Sequence, residues 1–357
     1  MQVEKKILIE NLQDIVSILP TNATLPILSN IVIKEEEGNL ILEGTDLEIF
    51  IKRATKIKVE EGTQICVQGK KFYEIIQSLP EDTIIITNEK GLKIVSGDCI
   101  FKLALAQIDE YPIFPEVKGN KIKIDAQNLK EKLSKIIFAA ATDETRYVLN
   151  GVLFDFRKNK LNLITTDGRR LALARIKYED DIIGKFIIPQ KAIYSLIKLI
   201  ADEKELEIII SEDKKIKFIC NKAEIITRLI DGEFPNYLDV FPKKFENKLK
   251  INSKELYEAV KRASILSTQD SIALELKLEK NKVTVTKNTA GLGEVKEEIK
   301  AEYVGKELTI GFNPKYLLDN LQVIEEEIIE IEIINEEKPV VIKNLDYKYL
   351  LLPMSLV

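Results

Sequence analysis

Three stretches of this chain repeat one arrangement at a period near 120 residues, and that repeat constrains the fold more than any other feature. "ILIENLQDIVSIL" (Ile7–Leu19), "IKIDAQNLKEKLSKIIFAA" (Ile122–Ala140) and "LKINSKELYEAVKRASIL" (Leu249–Leu266) each read as a short strand, a polar cap and an amphipathic helix. Asp125 and Ser253 stand where an N-cap is needed, with apolar residues at helical spacing beyond. A second set follows about 60 residues later: "VQGKKFYEIIQSLP", "IPQKAIYSLIKLI" and "IGFNPKYLLDNLQVI". Alternating strands lie between, in "NLILEGTDLEIFIKR", "KLNLITTDGRRLALAR" and "KVTVTKNTAGLGEVKEEI". The units close with "FKLALAQIDEYPIFP", "ITRLIDGEFPNYLDVFP" and "YKYLLLPMSLV". Each unit therefore reads as strand–helix–strands–helix–strands. Helices gathered on one face of antiparallel sheets give an α+β fold of three similar domains. The divisions are expected near Gly119 and Phe245, giving domains of residues 1–119, 120–245 and 246–357. The runs "EEEGN" and "EEEIIEIEIINEEKP" read as solvated hairpins or edges.

Several function classes lose ground at once. The chain has no histidine, so the commonest general base and metal ligand is missing. Cys66, Cys99 and Cys220 are odd in number and far apart, which suits strand interiors in a reducing cytoplasm rather than disulfides or zinc. The opening "MQVEKKILIENLQDIV" is charged throughout, unlike a signal peptide, and no apolar run reaches the ~20 residues of a membrane span. A cytoplasmic protein without membrane association is expected.

Net charge is −5, but its distribution is uneven. Helices predicted over 10–19, 69–79, 128–139, 190–200, 253–264 and 313–322 hold 11 basic and 7 acidic residues, leaving −9 for the rest. If the helices share a surface, that surface can meet phosphate while the remainder repels it. The candidates are Lys70, Lys71, Lys132, Lys135, Lys191, Lys198, Lys254, Lys261 and Arg262. Ordinary lysine usage on helix surfaces explains any one of them equally well.

Catalytic motifs are weak. "GTQICVQGKK" puts six residues between Gly62 and Gly69 where a phosphate loop has four, and no Ser or Thr follows its lysines. "GLGEVK" has two of the three glycines of a dinucleotide fingerprint, in a strand-rich region. Asp167 is read as holding a turn through backbone N–H groups; Asp180 and Asp181 read as loop surface. A carboxylate-dependent hydrolase or nuclease would need a clustered acidic site. A β-rich scaffold without DNA binding is the other alternative.

The arginines are unevenly placed. There are eight against 45 lysines, and Arg146, Arg157, Arg169, Arg170 and Arg175 crowd into one window around "TTDGRRLALAR". Together with "TLPILSNIVI", "EGTDLEI", "RYVLNGVLF", "LIDGEFPNYLDVFP" and "YLLLPMSLV", this window resembles the bacterial DNA polymerase III beta subunit, the sliding-clamp family, in order along the whole chain. The resemblance implies three clamp domains and a head-to-tail ring homodimer, helices lining the hole and sheets outside. It also implies sequence-independent binding of duplex DNA, no cofactor, no metal and no catalysis. A pocket between the second and third domains would take short linear motifs of the polymerase III alpha subunit, the clamp loader, other polymerases and repair proteins. Matching pocket positions are Arg146, Val148, Leu149, Thr166, Gly168, Arg169, Arg170, Leu171, Pro235 and Val240. From the C-terminus come Leu350, Leu351, Leu352, Pro353, Met354 and Leu356. Most family members have His where this chain has Arg169. Phe101 would meet Ile265 and Leu266 of a second copy. Without the family, Arg169 and Arg170 read equally as a solvated strand start.

Overall fold

The structure, a computed structural model, describes residues 2–22, 25–57, 62–88, 91–178, 182–200, 203–221 and 223–356. Asp180, Asp181 and Val357 lie outside the described residues. The chain packs as two compact units, residues 1–130 with 191–229, and residues 131–190 with 230–357.

The first unit holds an antiparallel sheet of eight strands. Their order is Gln64–Gln68, Asn30–Glu36, Asn39–Thr45, Ile49–Thr55, Ala223–Arg228, Lys215–Cys220, Glu205–Ile210 and Asn120–Asp125. A separate antiparallel sheet runs Gln2–Glu4, Thr83–Asn88, Leu92–Ser96, Cys99–Leu103. The second unit holds one twelve-stranded antiparallel sheet. Its order is Gly184–Pro189, Gly151–Arg157, Lys160–Thr166, Arg170–Lys177, Tyr347–Leu351, Val340–Lys343, Ile328–Ile333, Asn247–Asn252, Gly293–Val304, Lys282–Thr289, Leu274–Glu279 and Leu308–Phe312.

Each large sheet contains a join between repeats. Ile49–Thr55 of the first repeat pairs with Ala223–Arg228 of the second, with Ile51 opposite Ile225. Arg170–Lys177 of the second pairs with Tyr347–Leu351 of the third, with Leu171 opposite Leu350. The two joins use matching strands. Because the sheets run unbroken through them, the middle repeat is shared between the compact units.

The helices among the described residues are α1 (Lys5–Ile18), α2 (Gly69–Ser78), α3 (Ala126–Ser134), α4 (Gln190–Leu199), α5 (Ser253–Ser264) and α6 (Pro314–Leu321). Helix α1 starts earlier than its sequence suggests. Ile7, Leu8 and Ile9 read as a strand, yet the buried face is Leu8, Leu12, Ile15 and Ile18, at helical spacing. The strand lies upstream, at Gln2–Glu4. Gly44 lets α1 close onto its sheet, since a Cβ there would lie 2.3 Å from Ile15 Cγ2. Asp125 does cap α3, its Oδ1 accepting from Asn128 N–H at 2.7 Å. Asn252 rather than Ser253 caps α5, accepting from Glu255 N–H at 3.0 Å. Ser253 Oγ instead donates to Glu326 O at 2.6 Å. "EEEGN" forms a hairpin turn, with Glu37 and Gly38 at positive φ. The second acidic run is not an edge. Ile329, Ile331 and Ile333 are buried, and their strand sits between two others. Cys66 and Cys220 are buried in strands, while Cys99 is half-buried on an edge strand. No helix among the described residues is long and apolar enough to cross a membrane.

Candidate peptide cleft and charged helix faces

Strand Lys160–Thr166 runs into a tight turn, and Arg170–Lys177 returns beside it. Asp167 builds the turn as expected. Its Oδ1 accepts from the N–H of Arg169 at 2.9 Å and of Arg170 at 3.0 Å. Gly168 has φ +84°, in the left-handed region that favours glycine. Arg146 Nη1 donates to Asp167 O and lies so close that a Cβ on Gly168 would meet it at 2.6 Å.

Segment 230–241 packs on the same sheet. Its Ile230, Phe234 and Tyr237 join Leu153, Ile164, Leu171, Leu173, Ile187, Val341 and Leu350 in one buried cluster. Above that cluster opens a cleft of about 390 Å³, wholly within the second unit. Thr166, Gly168, Arg169, Arg170 and Leu171 line it from the turn and strand. Leu149, Pro235, Val240, Leu350 and Leu352 complete the sequence-expected part of the lining.

Six expected positions stand elsewhere. Arg146 braces the turn, and Val148 packs against the buried cluster. Leu351 is fully buried, one residue out of phase with Leu350 and Leu352, because successive strand residues face opposite ways. Pro353, Met354 and Leu356 follow the strand's end. Met354 N–H donates to Gly311 O at 2.8 Å, and a Cβ on Gly311 would meet Leu356 Cδ2 at 2.8 Å, so the tail lies along strand Leu308–Phe312.

Phe234, Asn236, Tyr237 and Pro339 line the cleft unanticipated. Three of these lie inside the motif "LIDGEFPNYLDVFP" and were findable there; Pro339 has no sequence signal. Tyr237 is anchored from below. Its hydroxyl donates to Asp155 Oδ2 at 2.5 Å and accepts from Asn162 Nδ2 at 2.9 Å, while Arg157 Nε donates to Asp155 at 2.8 Å. Burial, with Asp155 alongside, pushes the phenol up to about 12, so it remains a donor at neutral pH.

Arg170 is occupied rather than available to a ligand. It is buried, with Nε donating to Asp167 Oδ2 at 3.0 Å, Nη1 to Asp319 Oδ2 at 2.7 Å and Nη2 to Phe138 O at 2.7 Å. Its guanidinium also stacks 4.3 Å from the Tyr316 ring centroid. It ties the turn to α6. Arg170→Met removes the buried cation shared by Asp167 and Asp319 and the donor to the Phe138 carbonyl, leaving Asp319 only Lys315 and Asp167 only backbone N–H groups, so unfolding free energy measured in urea is expected to fall by about 3 kcal/mol. Unchanged stability with weakened ligand binding would instead make Arg170 a direct contact.

The helix cations divide into two groups. Lys71 pairs with Glu74, Lys132 and Lys135 with Glu131, Lys191 with Asp46, and Arg262 with Glu258 and Glu297. Among the described residues Lys70 meets the Thr21 hydroxyl, at 2.9 Å, and no carboxylate, and Lys261 lies 5.7 Å from the Tyr257 ring centroid. Lys198 and Lys254 are exposed and have no ion pair among the described residues. Phe101 is half-buried on edge strand Cys99–Leu103, Ile265 is 75% exposed and Leu266 half-buried. Among the described residues no group of three or more Cys, Asp or Glu side chains could hold a metal ion.

Comparison with known proteins agrees along the chain. Residues 1–115, 123–236 and 238–355 match the N-terminal, central and C-terminal domains of the DNA polymerase III beta subunit. The beta sliding clamp of Staphylococcus epidermidis is 32% identical, over 96% of this chain and 95% of its own length. That of Chlamydia pneumoniae is 29% identical, over 97% and 96%. Among solved structures, the sliding clamp (DNA polymerase III subunit beta) of Bartonella birtlesii, bound to griselimycin, superposes with a TM-score of 0.95 at 30% identity, covering 100% of this chain and 99% of that one. The Bacillus subtilis clamp superposes with a TM-score of 0.93 at 29% identity, covering 100% and 99%.

Proposed function

The chain belongs to the DNA polymerase III beta subunit family, and from that premise we propose that two copies close head-to-tail around duplex DNA and hold partners through the cleft beside Arg169. Members of this family are sliding clamps of the bacterial replicase, processivity factors that catalyse nothing themselves. The clamp tethers polymerase to DNA and so replaces repeated diffusional encounters by a high effective concentration. The polymerase III alpha subunit, the clamp loader and other polymerases and repair proteins are the proposed partners, acting through short segments with Leu and Phe anchors, in the cytoplasm.

One observation carries the head-to-tail arrangement. Two of three equivalent joins are made within the chain. The third-repeat strand matching Ile49–Thr55 and Arg170–Lys177 is Gly293–Val304. Over its first eight residues it pairs only with Lys282–Thr289, leaving the other side without a strand partner among the described residues. The first-repeat strand matching Ala223–Arg228 and Tyr347–Leu351 is Cys99–Leu103, and it is a sheet edge. Within one chain each lacks its counterpart; a second copy supplies both. Heterologous contacts of this kind either close into a ring or run on as filaments, and closure is what a clamp requires.

The test is topological. Protein loaded by a clamp loader onto nicked circular duplex is expected to co-elute with it in gel filtration at moderate salt. Cutting the circle should release it. Retention after linearisation would mean ordinary surface binding and would end the ring proposal.

A further inference from the structure

We infer that the cleft selects segments carrying a carboxylate beside their apolar anchors, and that Arg169 reads that carboxylate. This rests on the cleft being the partner site. Among the described residues lining it, two are charged, Arg169 and Arg170. Arg170 is neutralised by Asp167 and Asp319 and buried against Tyr316. Arg169 is different. Its backbone is pinned on both sides, the N–H donating to Asp167 Oδ1 at 2.9 Å and the carbonyl accepting from Leu352 N–H at 3.0 Å. Its side chain is exposed and has no ion pair among the described residues. A fixed Cα on the rim thus presents an uncompensated guanidinium to whatever enters.

Arg146 adds a second cation at the same end. Its hydrogen bond goes to the Asp167 carbonyl and it makes no ion pair among the described residues, although Asp143 lies close enough to share its field. The acid of the turn is already engaged. Asp167 Oδ1 serves two backbone N–H groups and Oδ2 serves Arg170. On the other wall, Asp239 accepts from Asn236 beside Val240 and repels a carboxylate there. The charge pattern therefore fixes an orientation, with the ligand's acid towards the Asp167 turn. Guanidinium suits this role because its planar fork bonds both oxygens of a carboxylate. The apolar walls keep water from screening the pair as it would on an open surface.

The experiment uses the full-length dimer and fluorescein-labelled nine-residue peptides with adjacent Leu and Phe anchors. Asp, Asn or Lys is placed in turn at each position flanking the anchors, and affinity is read by fluorescence polarisation at low and high salt. At one flanking position, wild type is expected to prefer Asp over Asn by about tenfold, with Lys weaker still and the preference shrinking in salt. Arg169→Gln should level the series, and Arg169→Glu should invert it in favour of Lys, which a merely structural role for Arg169 would not do. Equal binding of Asp and Asn peptides at every position, or a preference surviving in Arg169→Glu, overturns the inference while leaving the cleft as the partner site. Failure of every peptide to bind, or binding that ignores replacement of Leu and Phe by Ala, overturns the partner site itself and this inference with it.

Discussion

Replacing Ile265 and Leu266 together with alanine is expected to turn the proposed dimer into a folded monomer. The repeat supplies the reason. Leu129 in α3 and Leu256 in α5 occupy matching positions, and nine residues beyond them stand Phe138 and Ile265. Phe138 lies within its join, its ring 5.7 Å from Tyr349 on the strand that the third repeat adds to the second. Ile265 has no such cover and is 75% exposed. Thr289 Oγ1 holds the neighbouring Leu266 carbonyl at 2.6 Å, so the pair is presented by a fixed backbone. On edge strand Cys99–Leu103, the proposed counterpart, Ile100 is 57% exposed and Phe101 half-buried. Truncating central apolar anchors costs ~2 kcal/mol or more each, and a closed ring of two has two such interfaces, so the double change is expected to raise the dimer dissociation constant by about a millionfold. Sedimentation equilibrium reads this directly. Circular dichroism and peptide binding of the same sample should stay near wild type, because none of these residues lines the cleft. A dimer of undiminished strength would place the interface elsewhere. Loss of fold would contradict the exposure of Ile265.

Local chemistry was legible in the sequence; long-range contact was not. The Asp167 turn could be read because its bonds reach only two and three residues along the chain. The role of Arg170 could not, since Asp319 is 149 positions away, and a "GRR" turn reads equally as a ligand-binding rim. Tyr237 lies within a legible motif, but the bond that fixes its ring in the cleft wall reaches Asp155, 82 positions back, which no local pattern shows. The tail shows a different limit. "LLPMSLV" is apolar enough to line a pocket, but strand alternation carries Leu351 inward and the Gly311 bond draws Met354 aside. For the fold, the repeat exposed the architecture because its period is long and its units share polar caps and alternating strands. Element ends were harder. In α1 the run Ile7-Leu8-Ile9 satisfies both strand and helix patterns, and only the burial of Leu12 and Ile15 settles the choice.

Among the nine helix cations, four should carry the grip on DNA. By sequence all nine are equivalent. The structure separates Lys70, Lys198, Lys254 and Lys261, which have no carboxylate partner among the described residues, from five that do. An ammonium already paired with Glu or Asp must break that pair to meet a phosphate, and it releases fewer counterions when it does. Replacing the unpaired four with Gln is therefore expected to flatten the salt dependence of binding to a short blunt duplex, which can thread the ring without a loader. Each lysine that meets a phosphate contributes ~0.9 to the slope of log K against log salt, so loss of four per protomer lowers the dimer's slope by up to about 7. Replacing Lys71, Lys132, Lys135, Lys191 and Arg262 with Gln should lower it by less than half as much, although it removes more positive charge. Fluorescence anisotropy across a salt series gives both slopes, and sedimentation confirms that each variant still dimerises. If the paired five carry the larger share, the carboxylates give way on contact and the ion pairs do not decide the DNA surface. If neither set moves the slope, these helix faces do not meet phosphate, and the basic bias of the helices is a property of lysine usage alone.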